Sequence, residues 1–105
     1  WKCEYDGLNV IYSFGKYLGG DRDNSVRVRY RVDEKAATEQ TSWNIANDHE
    51  AAYMPMNMVY NFTQEAMTGS IVRFEVIDPL DGERLRHSYN LSGLVQSIAL
   101  LSCAK

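Results

Sequence analysis

Apolar and charged residues alternate strictly over residues 25–33, the most regular stretch of the chain. Successive side chains of a strand point to opposite faces, so one face of this segment is apolar and the other is charged. Branched and aromatic residues also suit a pleated, half-buried surface. We therefore predict a central strand whose inward side chains are Val26, Val28, Tyr30 and Val32.

The same period of two appears in shorter segments on both sides of this strand. It predicts a first strand over residues 8–14, a third strand over 38–45 with Trp43 facing the core, and a short strand over 51–54. Residues 71–78 and 84–91 form a predicted hairpin around the turn sequence of residues 78–82. The side chains of the hairpin that should face inward are Val72, Phe74, Val76, Leu85, His87, Tyr89 and Leu91.

The period changes to that of a helix in two places. Met58, Val59, Phe62 and Ala66 lie on one face of a helix of about ten residues, with Asn57 as its predicted N-cap. Thr68-Gly69-Ser70 should end it. A last helix should begin with Ser92 as N-cap and bury a stripe formed by Leu94, Val95, Ile98 and Leu101.

The bulk properties fit one small domain that spans residues 1–105. Apolar residues make up 45% of the chain and charged residues 24%, which is ordinary for a globular protein. No apolar run approaches the roughly 20 residues of a membrane span, so no direct membrane span is expected. The predicted fold is mainly β: an antiparallel β-sandwich or curled sheet of six or seven strands, with two short helices.

The two cysteines, Cys3 and Cys103, lie at opposite ends of the chain. A disulfide between them would restrict the unfolded chain over nearly its whole length, which the chain-entropy model values at roughly 4–5 kcal/mol. The alternative is a pair of buried thiols. A bridge implies an oxidising compartment, periplasmic or secreted. The chain begins at Trp1 rather than Met, which we expect to reflect removal of a signal peptide or trimming of a longer chain.

Six of the seven arginines lie on predicted strands and point away from the apolar face. If the central strand neighbours the late hairpin, they form one basic patch that could receive an acidic partner, a phosphate or an anionic polymer. The alternative is a solvated face with cross-strand ion pairs to Glu75, Asp33 or Glu83. The net charge is −3, so no nucleic-acid partner is expected. The candidate patch comprises Arg27, Arg29, Arg31, Arg73, Arg84 and Arg86.

The sequence contains no motif for catalysis, and no catalytic residue, metal site or cofactor is predicted. Residues 21–25 weakly resemble a calcium loop, but Val26 occupies the position of the turn glycine, so a solvated loop is expected. Three adjacent potential ligands in residues 47–50 rarely converge on one ion. His87 lies on the apolar face of its strand, where a hydrogen-bonded structural role is expected rather than a catalytic one.

These segments together resemble the VasI/TagO family of exported accessory proteins associated with type VI secretion in Gram-negative bacteria, or a related phage-borne domain. Family members carry a Y-R-(V/I)-D strand end, a downstream Trp, and an F-x-L-S-G-L step into a last helix just before a Cys. Tyr89 and Asn90 replace the Phe-x dipeptide that usually precedes the residue at Leu91. Gln64 and Glu65 stand where the family is more apolar. The residues that carry the resemblance are Cys3, Val28-Arg29-Tyr30-Arg31-Val32-Asp33, Trp43, Phe62, Tyr89-Asn90-Leu91-Ser92-Gly93-Leu94 and Cys103.

The resemblance implies a non-enzymatic periplasmic role in assembling or regulating an envelope machine. The first functional hypothesis is therefore an adaptor domain that binds another envelope protein. The alternative is a small secreted or phage-encoded inhibitor or exclusion factor that acts on an envelope enzyme or receptor. A cell-wall hydrolase is disfavoured, and the pattern does not specify an oligomeric state.

Overall fold

The computed structural model of the protein describes residues 1–19 and 24–104. Of the solvated loop predicted over residues 21–25, residues 21–23 lie outside the described residues, and Ser25 is the first residue of a strand. The strands are β1 (Lys2–Glu4), β2 (Gly7–Asn9), β3 (Ile11–Ser13), β4 (Ser25–Val32), β5 (Thr41–Ile45), β6 (Ala51–Tyr53), β7 (Ile71–Ile77) and β8 (Arg84–Asn90). The helices are α1 (Met56–Met67) and α2 (Leu94–Ala99), followed by a 3₁₀ helix at Ser102–Ala104.

Six of these strands form one antiparallel sheet in the order β3-β6-β5-β4-β7-β8, and β1 pairs with β2 in a separate two-stranded ribbon. The large sheet curls into a half-barrel, so the prediction of a mainly β protein with a curled sheet is confirmed. Helix α1 packs against the inner face of this sheet through Val59, Phe62 and Ala66. The rings of Phe62 and Tyr30 meet edge to face, with their centroids 4.7 Å apart.

The register of β4 and β7 places their apolar side chains together on the inner face. Val28 lies opposite Val76, and Tyr30 lies opposite Phe74. Leu94 is half-buried at the margin of the core. Tyr89 differs from the expectation of a core residue because its strand lies at the edge of the sheet, which leaves it 41% exposed. The expected core residues that are buried are Val28, Tyr30, Trp43, Phe62, Phe74, Leu91 and Ile98.

The single first strand predicted over residues 8–14 is wrong. Residues 7–9 turn back and pair with β1, where Leu8 lies opposite Cys3, and only residues 11–13 join the large sheet. The buried amide of Asn9 donates hydrogen bonds to Asp6 Oδ1 (2.8 Å) and to the Gly7 carbonyl (3.3 Å), which stabilises the tight turn of the ribbon. The alternation of apolar residues continues through the break, so the pattern alone does not reveal it.

Both predicted helix caps are also wrong. Helix α1 begins after Pro55, whose φ of −53° already suits a helix, and Asn57 lies inside it. Helix α2 begins after Gly93, which adopts a left-handed φ of 78°, and no side chain of the described residues caps its N-terminus. The backbone N–H of Ser92 instead donates to Asn90 Oδ1 at 2.7 Å. Val95 is 51% exposed, so it is not part of the buried stripe.

The predicted disulfide is confirmed: Cys3 and Cys103 are bonded, with their Cα atoms 5.8 Å apart. The Cys103 backbone N–H also lies 3.4 Å from Cys3 Sγ, which fixes the last turn of the chain against β1. Such a bond is compatible with a protein of an oxidising, secreted or periplasmic compartment. Within the described ranges, no helix is both long and apolar enough to cross a membrane.

Candidate functional site

The outer face of β4, β7 and β8 collects the six arginines predicted to form a patch. Antiparallel register sets them in three rows across the sheet, because residues opposite one another point to the same face. We call this surface the arginine face and define it by Arg27, Arg29, Arg31, Arg73, Arg84 and Arg86. Its rows are Arg27–Ile77–Arg84, Arg29–Glu75–Arg86 and Arg31–Arg73–Ser88.

Glu75 lies at the centre of the arginine face and is only 7% exposed. Its carboxylate accepts from Arg29 Nε at 3.0 Å, from an Arg84 terminal nitrogen at 2.7 Å and from Arg86 Nε at 2.9 Å. Burial raises the pKa of Glu75, but the hydrogen bonds from these three arginines outweigh burial and leave the pKa below its ordinary value. Glu75 therefore stays ionised and holds three guanidinium groups in fixed positions.

One glutamate cannot neutralise six arginines, so the arginine face is strongly positive. With Glu75 included and the exposed Glu34, which pairs with Arg31, left out, it carries five more positive than negative charges. The whole chain has a net charge of −3, so the other residues together carry a net charge of −8. The charges of this small domain are therefore segregated, with a cationic face on an otherwise acidic protein.

Both alternatives for the arginines are thus partly realised. Arg29, Arg84 and Arg86 make cross-strand ion pairs with Glu75, and Arg31 pairs with the exposed Glu34 at 2.7 Å. The side chains of Arg27 and Arg73 make no ion pair or hydrogen bond within the described part of the chain, and their backbones belong to the β4–β7 ladder. The sequence predicts the outward direction of all six arginines, and the sheet order brings them together.

Arg31 and Arg73 bring two like charges together on the arginine face, although Arg31 also pairs with the exposed Glu34. They lie directly opposite each other, and like charges in that relation destabilise a sheet. Arg31 Nε is also buried without a hydrogen-bond partner among the residues described here. Guanidinium groups bind carboxylates and phosphates through paired N–H donors. Beside this pair is a shallow depression of about 320 Å³, bordered by Arg29, Arg31, Arg73, Glu75, Arg86 and Ser88.

Asp33, the last residue of the Tyr-Arg-Val-Asp sequence, keeps β4 and β7 in this register. It adopts a left-handed φ of 53°, and its Oδ1 accepts from the backbone N–H groups of Ser70 at 2.9 Å and Ile71 at 3.0 Å. The bond from Ile71, followed by that from Ser70, holds the pKa of Asp33 below its ordinary value. Asp33 is therefore a structural residue of the arginine face, a role that the sequence motif alone did not reveal.

A second polar cluster connects β3 and β8, the two edge strands of the half-barrel, across the gap between them. The Tyr12 hydroxyl and His87 Nδ1 share a hydrogen bond, and the Tyr89 hydroxyl donates to the Ser13 carbonyl at 3.2 Å. Burial is the largest cause that raises the pKa of Tyr12, so its phenol stays neutral. His87 is thereby hydrogen-bonded between strands, in the structural position expected from its place on the apolar face.

The described residues contain no group of three or more His, Cys, Asp or Glu side chains that could hold a metal ion. Comparison of the chain with known protein families, characterised proteins and solved structures finds no match. The fold and the site together define a mainly β, disulfide-linked half-barrel with a cationic outer face.

Proposed function

We propose that the protein is a non-enzymatic, exported adaptor domain that binds an acidic segment of another envelope protein through the arginine face. The observation that carries this proposal is the surplus of five positive charges on one face of a chain whose net charge is −3. A solvated face with no binding role gains nothing from placing Arg31 opposite Arg73. An acidic partner would supply the missing negative charge.

Charge segregation favours this role kinetically as well as energetically. A cationic face on an acidic body orients the domain as it approaches an acidic partner and raises the association rate at low ionic strength. The acidic remainder repels the same partner, so encounters through other surfaces are suppressed. The resemblance to the VasI/TagO family supports a periplasmic setting associated with type VI secretion, or a phage-borne relative of such a domain.

The test is charge reversal on the arginine face. The double variant R31E/R73E should fold, as judged by circular dichroism and melting, but should capture its partner from envelope extracts about tenfold less well. The control K2E/K16E changes the net charge equally at exposed lysines outside the arginine face and should retain capture. Capture should also weaken steadily as salt is added. Equal capture by both variants would refute the proposal.

A further inference from the structure

Among the strands that the structure describes, β8 is the last of the sheet and pairs with β7 on one side only. The direction of each backbone group follows from the bonds at the two ends of this pair. The Leu91 N–H donates to the Ser70 carbonyl, and the Asp78 N–H donates to the Glu83 carbonyl. Backbone groups alternate in direction along an antiparallel strand. The odd-numbered residues of β8 therefore bond to β7, and the N–H and C=O groups of Arg86, Ser88 and Asn90 point away from it.

On the opposite side of the gap, β3 also has backbone groups that point away from its only neighbouring strand among the described residues, β6. The Phe14 N–H donates to the Glu50 carbonyl, and the Met54 N–H donates to the Val10 carbonyl, so the even-numbered residues of this segment bond towards β6. The carbonyl of Ser13 therefore points into the gap, where it accepts the hydrogen bond from Tyr89. Both strand edges thus face a space that is bridged by side chains rather than by a strand.

The side chains of β8 specify what kind of strand could pair with it. On the outer face, Arg84 and Arg86 each bond Glu75 through one nitrogen, while their side chains remain 47% and 71% exposed. Each guanidinium has further N–H groups for a second acceptor. On the inner face, Tyr89 is exposed beside an apolar depression of about 370 Å³ that Tyr12, Phe74 and Leu91 help to line.

A second copy of the chain is a poor partner for this edge. Pairing of β8 with β8 of another molecule would bring the outward-facing Arg84 and Arg86 close to the same arginines of the other molecule. Charged side chains on an edge strand protect proteins against this kind of self-association. The same two arginines attract a strand that carries carboxylates at the facing positions.

From these observations we infer that the acidic partner segment binds by adding an extended strand to the free edge of β8. This inference rests on the proposed function and names its binding mode. The segment alternates acidic side chains, which face Arg84 and Arg86, with apolar side chains, which cover Tyr89 and enter the adjacent depression. Main-chain hydrogen bonds to Arg86, Ser88 and Asn90 supply affinity, and the alternation supplies specificity.

The experiment uses two peptides of identical composition as probes. One alternates valine and glutamate over the length of β8, and the other has the same residues in two blocks. The alternating peptide should bind more tightly, and it should slow amide hydrogen exchange at Arg86, Ser88 and Asn90. If neither peptide slows exchange at these amides, the inference is wrong. Equal binding of the two peptides would also overturn it.

A proline substitution tests the backbone directly. Ser88→Pro removes an N–H that points away from β7, a position at which an edge strand accepts proline, whereas Ser88→Ala keeps it. Ser88→Pro should weaken binding of the alternating peptide about tenfold relative to Ser88→Ala. The reason is that the hydrogen bond from the Ser88 N–H and the adjacent main-chain hydrogen bond to the peptide are both lost. If R31E/R73E weakens binding but Ser88→Pro does not, strand addition is wrong while the arginine face remains the binding surface.

Discussion

Arg31 and Arg73 lie directly opposite each other on the neighbouring strands β4 and β7, with both side chains on the outer face of the sheet. This pair opposes folding, since like charges at facing positions repel. It also concentrates the positive charge that an acidic partner would meet. Stability and the proposed binding therefore make opposite demands on the same two residues.

Arg73→Glu should stabilise the fold while it weakens partner capture. The substitution replaces a repulsive cross-strand pair by an attractive one, which we expect to raise the free energy of unfolding by about 0.5 kcal/mol. Urea unfolding measures the change. Arg27→Glu is the matched control, because Arg27 faces Ile77 rather than another arginine, and it should give no such gain. A loss of stability in Arg73→Glu would contradict this account of the pair.

Glu75→Gln should destabilise the protein. The variant keeps the shape of the side chain but leaves Arg29, Arg84 and Arg86 without their shared negative charge. Breaking a buried ion pair is costly, but these arginines are partly solvated, so we expect a loss of about 1–2 kcal/mol. The exposed Glu34→Gln, which removes a solvated pair with Arg31, should cost much less. Equal melting temperatures for the two variants would show that Glu75 does not organise the arginine face.

Stability should fall as the solution becomes acidic. The pKa values of Glu75 and Asp33 are both lowered in the folded protein, from ordinary values of 4.5 and 3.8. A lowered pKa means that the unfolded chain binds protons first, so the contribution is complete above about pH 4.5 and is lost as the pH falls through the folded pKa. Melting temperatures between pH 6 and 3 measure the decline, and Glu75→Gln should flatten it. Equal melting temperatures of the wild-type protein at pH 6 and pH 3 would contradict the lowered pKa values.

Removal of the disulfide should cost more than any single surface change. The Cys3–Cys103 bridge closes a loop with a sequence separation of 100 residues, for which the chain-entropy model gives roughly 4–5 kcal/mol. The double variant C3S/C103S should therefore melt far below the wild type. Intact mass under non-reducing conditions should lie two hydrogens below that of the reduced chain. Reduction of the wild type is the control and should reproduce the loss.

Gly69→Ala should destabilise the turn that leads from α1 into β7. A Cβ at Gly69 would lie 2.6 Å from Val32 Cγ1 and 3.3 Å from Leu91 Cδ1, both in the core. Overpacking of this kind typically costs about 1–3 kcal/mol. Gly19→Ala is a matched control, since its Cβ would meet no atom of the described residues closer than 3.9 Å. Chemical unfolding of both variants measures the difference, and equal stability would contradict the close packing described here.

The sequence by itself determined most of the local elements, although not the division of residues 8–14 between β2 and β3. Alternation along β4 specified which side chains face the core, because a period of two is a property of the strand and not of its neighbours. The positions of Cys3 and Cys103 indicated their bond, and the hairpin of β7 and β8 followed from its turn sequence. The helix periods were also correct, although their caps depended on Pro55 and Gly93, which the pattern did not single out.

Only the tertiary structure decided which residues become neighbours across the sheet. Strand order and register depend on contacts between distant segments, and a local period contains no information about them. They place Glu75 among three arginines, set Arg31 against Arg73 and leave one edge of β8 without a partner among the described strands. The first strand divides into β2 and β3 for the same reason, since pairing with β1 competes with the large sheet. The candidate site is thus a product of register, which long-range packing determines.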